Sequence, residues 1–293
     1  MRFLRSFVIV AWVIFLAGCA CVSPNIKVQA SKQANPWTNL NLYNNPDNFH
    51  FAIVSDLTGG YRQGVFEDAV KKLNLLKPEF VMSIGDLIEG RSQDDLELNR
   101  QWGEFDGFVN KLQMPFFYVP GNHDIGDEVM AQKWHQRLGP SYYHFVYRNV
   151  LFLCLNTEDP PTHHISDQQI EYFQKVLETN SNVRWTLVFM HQPVWKGETV
   201  LKNWLKFESL LADIPYTVFA GHHHTYNKTI RNGRRYYTLA TTGGGGDGEG
   251  GKPAGLPECQ FDHVVWLTMT EDGPVIANLL LEGIFDDEPC PQQ

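Results

Sequence analysis

Two aspartates, an asparagine and several histidines stand where apolar runs of this chain stop, in the order Asp56, Asp86, Asn122, His191, His222 and His224. They sit in five short polar motifs: Ser55-Asp56-Leu57-Thr58, Gly85-Asp86-Leu87-Ile88-Glu89, Gly121-Asn122-His123-Asp124, Met190-His191-Gln192-Pro193 and Gly221-His222-His223-His224. Carboxylate and amide oxygens with imidazole nitrogens are the donor set of hard and borderline divalent cations. His123, flanked by Asn122 and Asp124, is the residue type that moves protons near neutral pH. Taken singly, a histidine is more often structural than a ligand, and Gly-Asp is a common turn. Five such motifs at five segment ends point instead to one shared site.

The elements that must position them read as strands over 51–54, 80–84, 116–119, 185–189 and 216–220. Helical stripes alternate with these runs. Phe66, Ala69, Val70, Leu73 and Leu76 make one, ended by Pro78; Leu98, Trp102, Phe105, Val109 and Leu112 make another, ended near Pro115. Ser166 with Gln169 resembles a capping box ahead of Ile170, Phe173, Val176 and Leu177, and Trp204, Phe207, Leu210 and Leu211 precede Pro215. The alternation predicts an α/β layer fold, whose ligands gather at the carboxyl ends of the strands. Further strands are read at 142–147, 236–240, 264–268 and 275–281, the last two joined around Asp272-Gly273. The run 243–251, seven of its residues glycine, reads either as a mobile surface loop or as a flap beside the substrate. Its spacing and the absence of a following helix do not fit a nucleotide P-loop.

The 293 residues are 43% hydrophobic and support one large domain, placed at 49–286 with a tail at 287–293. At the other end, Arg2 and Arg5 precede an apolar stretch at 7–17 that is too short to span a bilayer comfortably. It ends in Leu16-Ala17-Gly18-Cys19, which resembles the lipobox of bacterial lipoproteins. That resemblance implies a signal peptide at 1–18, an acylated Cys19 and a membrane-anchored cell-envelope protein. Ala20 favours the periplasmic face of the outer membrane if the host is Gram-negative. Residues 19–48, rich in Asn, Pro, Ser, Lys and Gln, read as a tether. A formal charge of −9, more negative still without Arg2 and Arg5, makes nucleic acid a poor partner. Cys154 reads as a core residue, and Cys259 and Cys290 as a pair that an oxidising compartment could join.

Together the five motifs resemble those of the calcineurin-like metallophosphoesterases over about residues 49 to 282. The resemblance implies an α/β four-layer sandwich, two packed mixed sheets flanked by helices, that hydrolyses phosphate mono- or diesters at two divalent metal ions (Mn, Fe or Zn). It assigns Asp86 to bridge the metals, Asp56 and His224 to complete one, and Asn122, His191 and His222 to complete the other. The nucleophile is then a metal-activated hydroxide. His123 protonates the leaving alkoxide, and Asp124 is expected to orient its imidazole. His222 and His224 fit that split if their segment is extended, since alternate residues then point the same way. One departure stands out: the family's first motif usually has Asp-x-His, and here Thr58 takes the histidine's place. A weaker, more exchangeable first metal follows, favouring Mn²⁺ or Fe over Zn²⁺. Glu89 stands where purple-acid-type relatives carry a Tyr ligand, which argues against a coloured Fe(III) centre. The rival reading is a lipoprotein that keeps the fold but binds without turnover.

Overall fold

The computed structural model describes residues 37–39, 42–159, 164–196, 202–281, 283–285 and 287–290. The chain divides into a unit at 1–45, described only at 37–39 and 42–45 and there without helix or strand, and a unit at 46–293. The proposed signal peptide and Cys19 lie outside the described residues. Among the described residues, no helix is long and apolar enough to cross a membrane.

In chain order the second unit runs β1 (Phe49–Val54), α1 (Val65–Leu76), β2 (Val81–Ser83), α2 (Asp95–Val109), β3 (Phe116–Phe117), α3 (Asn122–Ile125), α4 (Glu128–Leu138), β4 (Tyr143–Tyr147), β5 (Val150–Cys154), α5 (Asp167–Thr179), β6 (Trp185–Phe189), α6 (Lys202–Leu210), β7 (Tyr216–Ala220), β8 (Asn227–Arg231), β9 (Arg234–Thr238), β10 (His263–Thr270), β11 (Gly273–Leu280) and β12 (Gly283–Phe285). The strands form two six-stranded mixed sheets, ordered β12-β11-β10-β1-β2-β3 and β4-β5-β6-β7-β9-β8. In the first, β1, β2 and β3 are parallel; in the second, β5, β6, β7 and β9 are parallel. All five motifs therefore follow parallel strands, and parallel neighbours deliver their carboxyl ends to one edge.

Side-chain alternation sorts the core into three layers. Phe49, Phe51 and Ile53 of β1 meet Val150, Phe152 and Cys154 of β5 between the sheets, with rings of Phe51 and Phe152 5.4 Å apart. Their even-numbered neighbours Ala52 and Val54 turn outward to a layer with Phe66, Leu73, Trp102 and Trp134 from α1, α2 and α4. Leu151 and Leu153 likewise face Phe173, Trp204 and Phe207 from α5 and α6. The result is helix, sheet, sheet, helix. Cys154 is fully buried, as its apolar neighbours suggest.

Cys259 and Cys290 form a disulfide. The 287–290 segment, read from sequence as a tail, is tied into the domain. Tyr237 donates its hydroxyl to Asp287 at 2.9 Å and Lys228 pairs with Asp287 at 2.8 Å.

Candidate metal centre

Ile84 ends the β2 run, and the chain turns at Gly85 (φ 101°) into Asp86 (φ 55°). A side chain at Gly85 would sit 2.7 Å from His191 Nδ1 and 2.8 Å from the Gly121 backbone, so glycine alone lets the three motifs close together. Asp56 (φ 39°), His222 (φ 73°) and His224 (φ 52°) are also left-handed. Such backbone is uncommon for these residues and gathers at functional sites, where surrounding structure enforces it. It also corrects the sequence reading of 222–224. The segment is not extended, and left-handed turns rather than strand alternation bring His222 and His224 to the same centre.

Two sets of donors result, each with its ligand atoms within 4.8 Å of one another: Asp86, His191 and His222, and Asp56, Asp86 and His224. His191 is fully buried, and its Nδ1 faces the Ile84 carbonyl at 2.9 Å. Its Nε2 meets Asn122 Oδ1 at 3.0 Å, His222 Nδ1 at 3.2 Å and Asp86 Oδ2 at 3.3 Å. Two imidazole nitrogens and two oxygens thus converge on one point, a crowd of lone pairs that a cation suits and apolar packing does not. On the other side, His224 Nε2 lies 3.4 Å from Asp56 Oδ1. Asp56 also accepts from the His222 amide at 3.0 Å and from the Ser55 hydroxyl.

The electrostatics agree. Burial opposes a charge on Asp86, yet His191 and His123 hold its pKa down at about 2. Burial would lower His191, but Asp86 and Asp56 raise it to about 10. His224 rises to about 9 against burial because of Asp56, while burial and the His191 charge push His222 down to about 4. Each carboxylate pair draws positive charge to one imidazole, the same demand that a divalent cation meets.

His123 is 4% exposed; its amide donates to Asp86 Oδ1 at 3.0 Å and its Nε2 lies 3.9 Å from Asp86 Oδ2. The sequence reading gave its orientation to Asp124, and the structure corrects this. Asp124 accepts from the amides of Leu87 at 2.8 Å, Ile88 at 3.1 Å and Gly121 at 2.8 Å, so it binds the loops of two motifs together. His123 Nδ1 instead meets the Glu89 carbonyl at 2.7 Å, which fixes the tautomer with Nε2 toward the centre. Arg91 Nη2 stands 3.3 Å from that Nε2, a contact no sequence feature announced. Thr58 is not turned to the ligand atoms. Its hydroxyl donates to the carbonyls of Ile88 at 2.8 Å and Asp86 at 3.2 Å, tying the Asp56 loop to the Asp86 loop. The Glu89 carboxylate does the same from the other side, accepting from the amides of Tyr61 at 2.8 Å and Gly60 at 3.2 Å.

A family profile described as calcineurin-like phosphoesterase matches residues 49–226. The chain belongs to this family. No curated protein matches it. Among solved structures, a dimetal phosphatase from Danio rerio is 15% identical with a TM-score of 0.59, over 81% of this chain and 98% of the other. GAP50, the anchor in the inner membrane complex of Plasmodium, is 17% identical with a TM-score of 0.60, over 80% of this chain and 85% of its own. The purple acid phosphatase PPD1 from yellow lupin is 14% identical with a TM-score of 0.58, over 84% of this chain and 57% of its own. Likenesses this remote concern the fold.

A cleft of about 830 Å³ is lined by Tyr61, Glu89, His222, His223, His224 and Gly245 among others, so one histidine of each donor set faces it. Three of the histidines left outside the ligand set have hydrogen-bond partners of their own. His144 meets the Tyr172 hydroxyl at 2.7 Å, His135 the Gly139 carbonyl at 2.9 Å, and His263 Asn278 Oδ1 at 2.8 Å. Gly121 supplies a test that removes no donor. A Cβ there would lie 2.2 Å from Asp86 Oδ1 and 2.4 Å from the Asp86 amide. Gly121→Ala is therefore expected to displace the shared carboxylate and weaken cation binding at least about tenfold, the lower end of what a displaced outer partner costs. Calorimetric Mn²⁺ titration checks this, and wild-type affinity would mean that Asp86 is not held where the structure puts it.

Proposed function

We propose that this centre binds two divalent cations sharing Asp86 and hydrolyses phosphate mono- or diesters. The observation that carries the reading is the meeting of His191 Nε2, His222 Nδ1, Asn122 Oδ1 and Asp86 Oδ2, with Asp86 also belonging to the Asp56 and His224 set. Carboxylate oxygens, an amide oxygen and imidazole nitrogens fit Mn²⁺, Fe or Zn²⁺. When bound, the cations supply Lewis-acid stabilisation of phosphoryl oxygens and an acidified water.

The chain's own residues do the rest. Asp86, which belongs to both donor sets, would be shared by the two cations. The Ile84 and Gly245 carbonyls hold the Nδ1 atoms of His191 and His224 and thereby aim each Nε2 inward. His123, its Nδ1–H held by the Glu89 carbonyl, presents Nε2 at the edge of the centre and, as the imidazolium, gives its Nε2 proton to the departing alkoxide oxygen. Arg91 stands beside it, and no serine or cysteine nucleophile is required. We further propose that the chain is exported and held on a membrane by acylated Cys19, which favours small soluble or lipid-derived phosphoesters as substrates.

The test is hydrolysis of p-nitrophenyl phosphate and bis-(p-nitrophenyl) phosphate by the protein lacking residues 1–18, with and without added Mn²⁺. Cation-dependent release of p-nitrophenol is expected. Retained cations without hydrolysis of a broad phosphoester panel would replace this reading with that of a binding lipoprotein.

A further inference from the structure

The glycine run, read from sequence as a mobile loop or a flap beside the substrate, lines the cleft at Gly245, Gly246, Asp247, Gly250 and Gly251, and its first residues grip a ligand ring. His224 lies in a slot between two glycine backbones: a Cβ on Gly59 or on Gly244 would each come within 2.8 Å of its Cε1. At the end of that slot the Gly245 carbonyl accepts from His224 Nδ1 at 2.7 Å. The slot walls are stapled together. Gly245 donates its amide to the Gly59 carbonyl at 3.1 Å, and Gly244 donates to the Asp56 carbonyl at 2.9 Å.

Arg62 closes this assembly from outside. Its amide donates to the Gly243 carbonyl at 2.9 Å and its Nε to the Gly244 carbonyl at 2.9 Å. The guanidinium forks onto Asp262, with Nη1 to Oδ2 at 2.8 Å and Nη2 on Oδ1, and both side chains are less than 20% exposed. A planar guanidinium can hold a carbonyl through Nε and a carboxylate through its two outer nitrogens at once, which an ammonium cannot. Farther along the run, Gln260 accepts from the Asp247 amide at 2.9 Å and donates to the Asp247 carboxylate at 2.6 Å. These amides are engaged inside the protein, so the run is no phosphate cradle.

We propose that Arg62 is a positioning residue for the Asp56-side cation, acting through Gly244 and Gly245 on the ring of His224. The proposal rests on the two-cation reading above. Thr58 turns its hydroxyl away to backbone carbonyls, so among the described residues His224 is the only imidazole in the Asp56 and Asp86 set. Affinity there depends on one ring, and that ring's direction depends on a loop that Arg62 holds from outside at the Gly243 and Gly244 carbonyls. The Asp86, His191 and His222 set does not use this loop and should not feel the change.

The experiment is a Mn²⁺ titration of the cation-stripped protein by calorimetry, comparing wild type with Arg62→Ala, Arg62→Lys, Asp262→Asn and Gly244→Ala. Far-ultraviolet circular dichroism checks that each variant is folded. Arg62→Ala is expected to weaken one of the two binding events about 10- to 100-fold and leave the other unchanged, as loss of an outer partner does. Arg62→Lys should recover part of that loss, because it keeps the charge opposite Asp262 and loses the carbonyl contact. Asp262→Asn should weaken the same event and Gly244→Ala should weaken it most. Wild-type binding at both sites in Arg62→Ala, or equal weakening of both, overturns the proposal. If Arg62→Ala does not fold, Asp262→Asn decides by the same criterion. Should wild type bind both cations and hydrolyse nothing, the phosphoesterase reading fails while this test still decides; a wild type that binds fewer than two cations defeats both.

Discussion

Asp86→Asn should strip cations from both sites at once and lower phosphoester turnover by more than about 100-fold, beyond the cost of losing an outer partner. The asparagine keeps the side chain's shape and one acceptor, so loss reflects the missing charge and second oxygen rather than a cavity. In the protein alone, Asp86 also raises His191, whose pKa stands at about 10, with His224 at about 9. Both rings hold protons below those values, so cation uptake at about pH 7 releases protons and wild-type affinity climbs as pH rises toward them. Asp86→Asn removes the principal partner of His191, which should then give up its proton at lower pH. Elemental analysis of the folded variant and calorimetry in buffers of different ionisation enthalpy measure both effects. An Asp86→Asn protein that retains two cations would falsify its shared role.

The second large effect concerns His123. His123→Ala should reduce turnover by about 10²- to 10⁴-fold, the range for a positioned general acid. Cation content should stay near that of wild type, because His123 belongs to neither donor set. A leaving group that needs little protonation discriminates further. The defect should be smaller for p-nitrophenyl phosphate, whose phenolate departs readily, than for an alkyl phosphate, whose alkoxide does not. Equal defects on both substrates would remove the proton from His123's role, and cation loss matching Asp86→Asn would make it a ligand instead.

The layered fold and the gathering of the motifs were legible because both follow from local pattern. The runs 51–54, 80–84, 185–189 and 216–220 read as strands, and parallel β1 with β2 and β6 with β7 leave little freedom about where Asp56, Asp86, His191 and His222 emerge. The hairpin of β8 with β9 was missed although Asn232 (φ 51°) and Gly233 (φ 72°) form the Asn-Gly turn that favours one. Helix α4 was also missed, since Met130 and Trp134 make only a thin apolar stripe.

Within the site, ligand types could be read and their holders could not. Asp124 beside His123 looked like its partner in sequence, but a four-residue helix turns the carboxylate back onto backbone amides. The Glu89 carbonyl that takes its place is a backbone atom, and no side-chain pattern marks one. The glycine run did carry a signal, for residues without Cβ permit close approach of backbone to a ring. Composition alone could not say that the ring was His224.

The most direct test of the account is the number of cations held per folded chain after equilibration with Mn²⁺ and removal of the excess. Two per chain in wild type, falling to one when Asp56 is replaced by alanine and to none when Asp86 is, is the expected result. A single cation in wild type that survives loss of Asp86, or no cation at all, would contradict it.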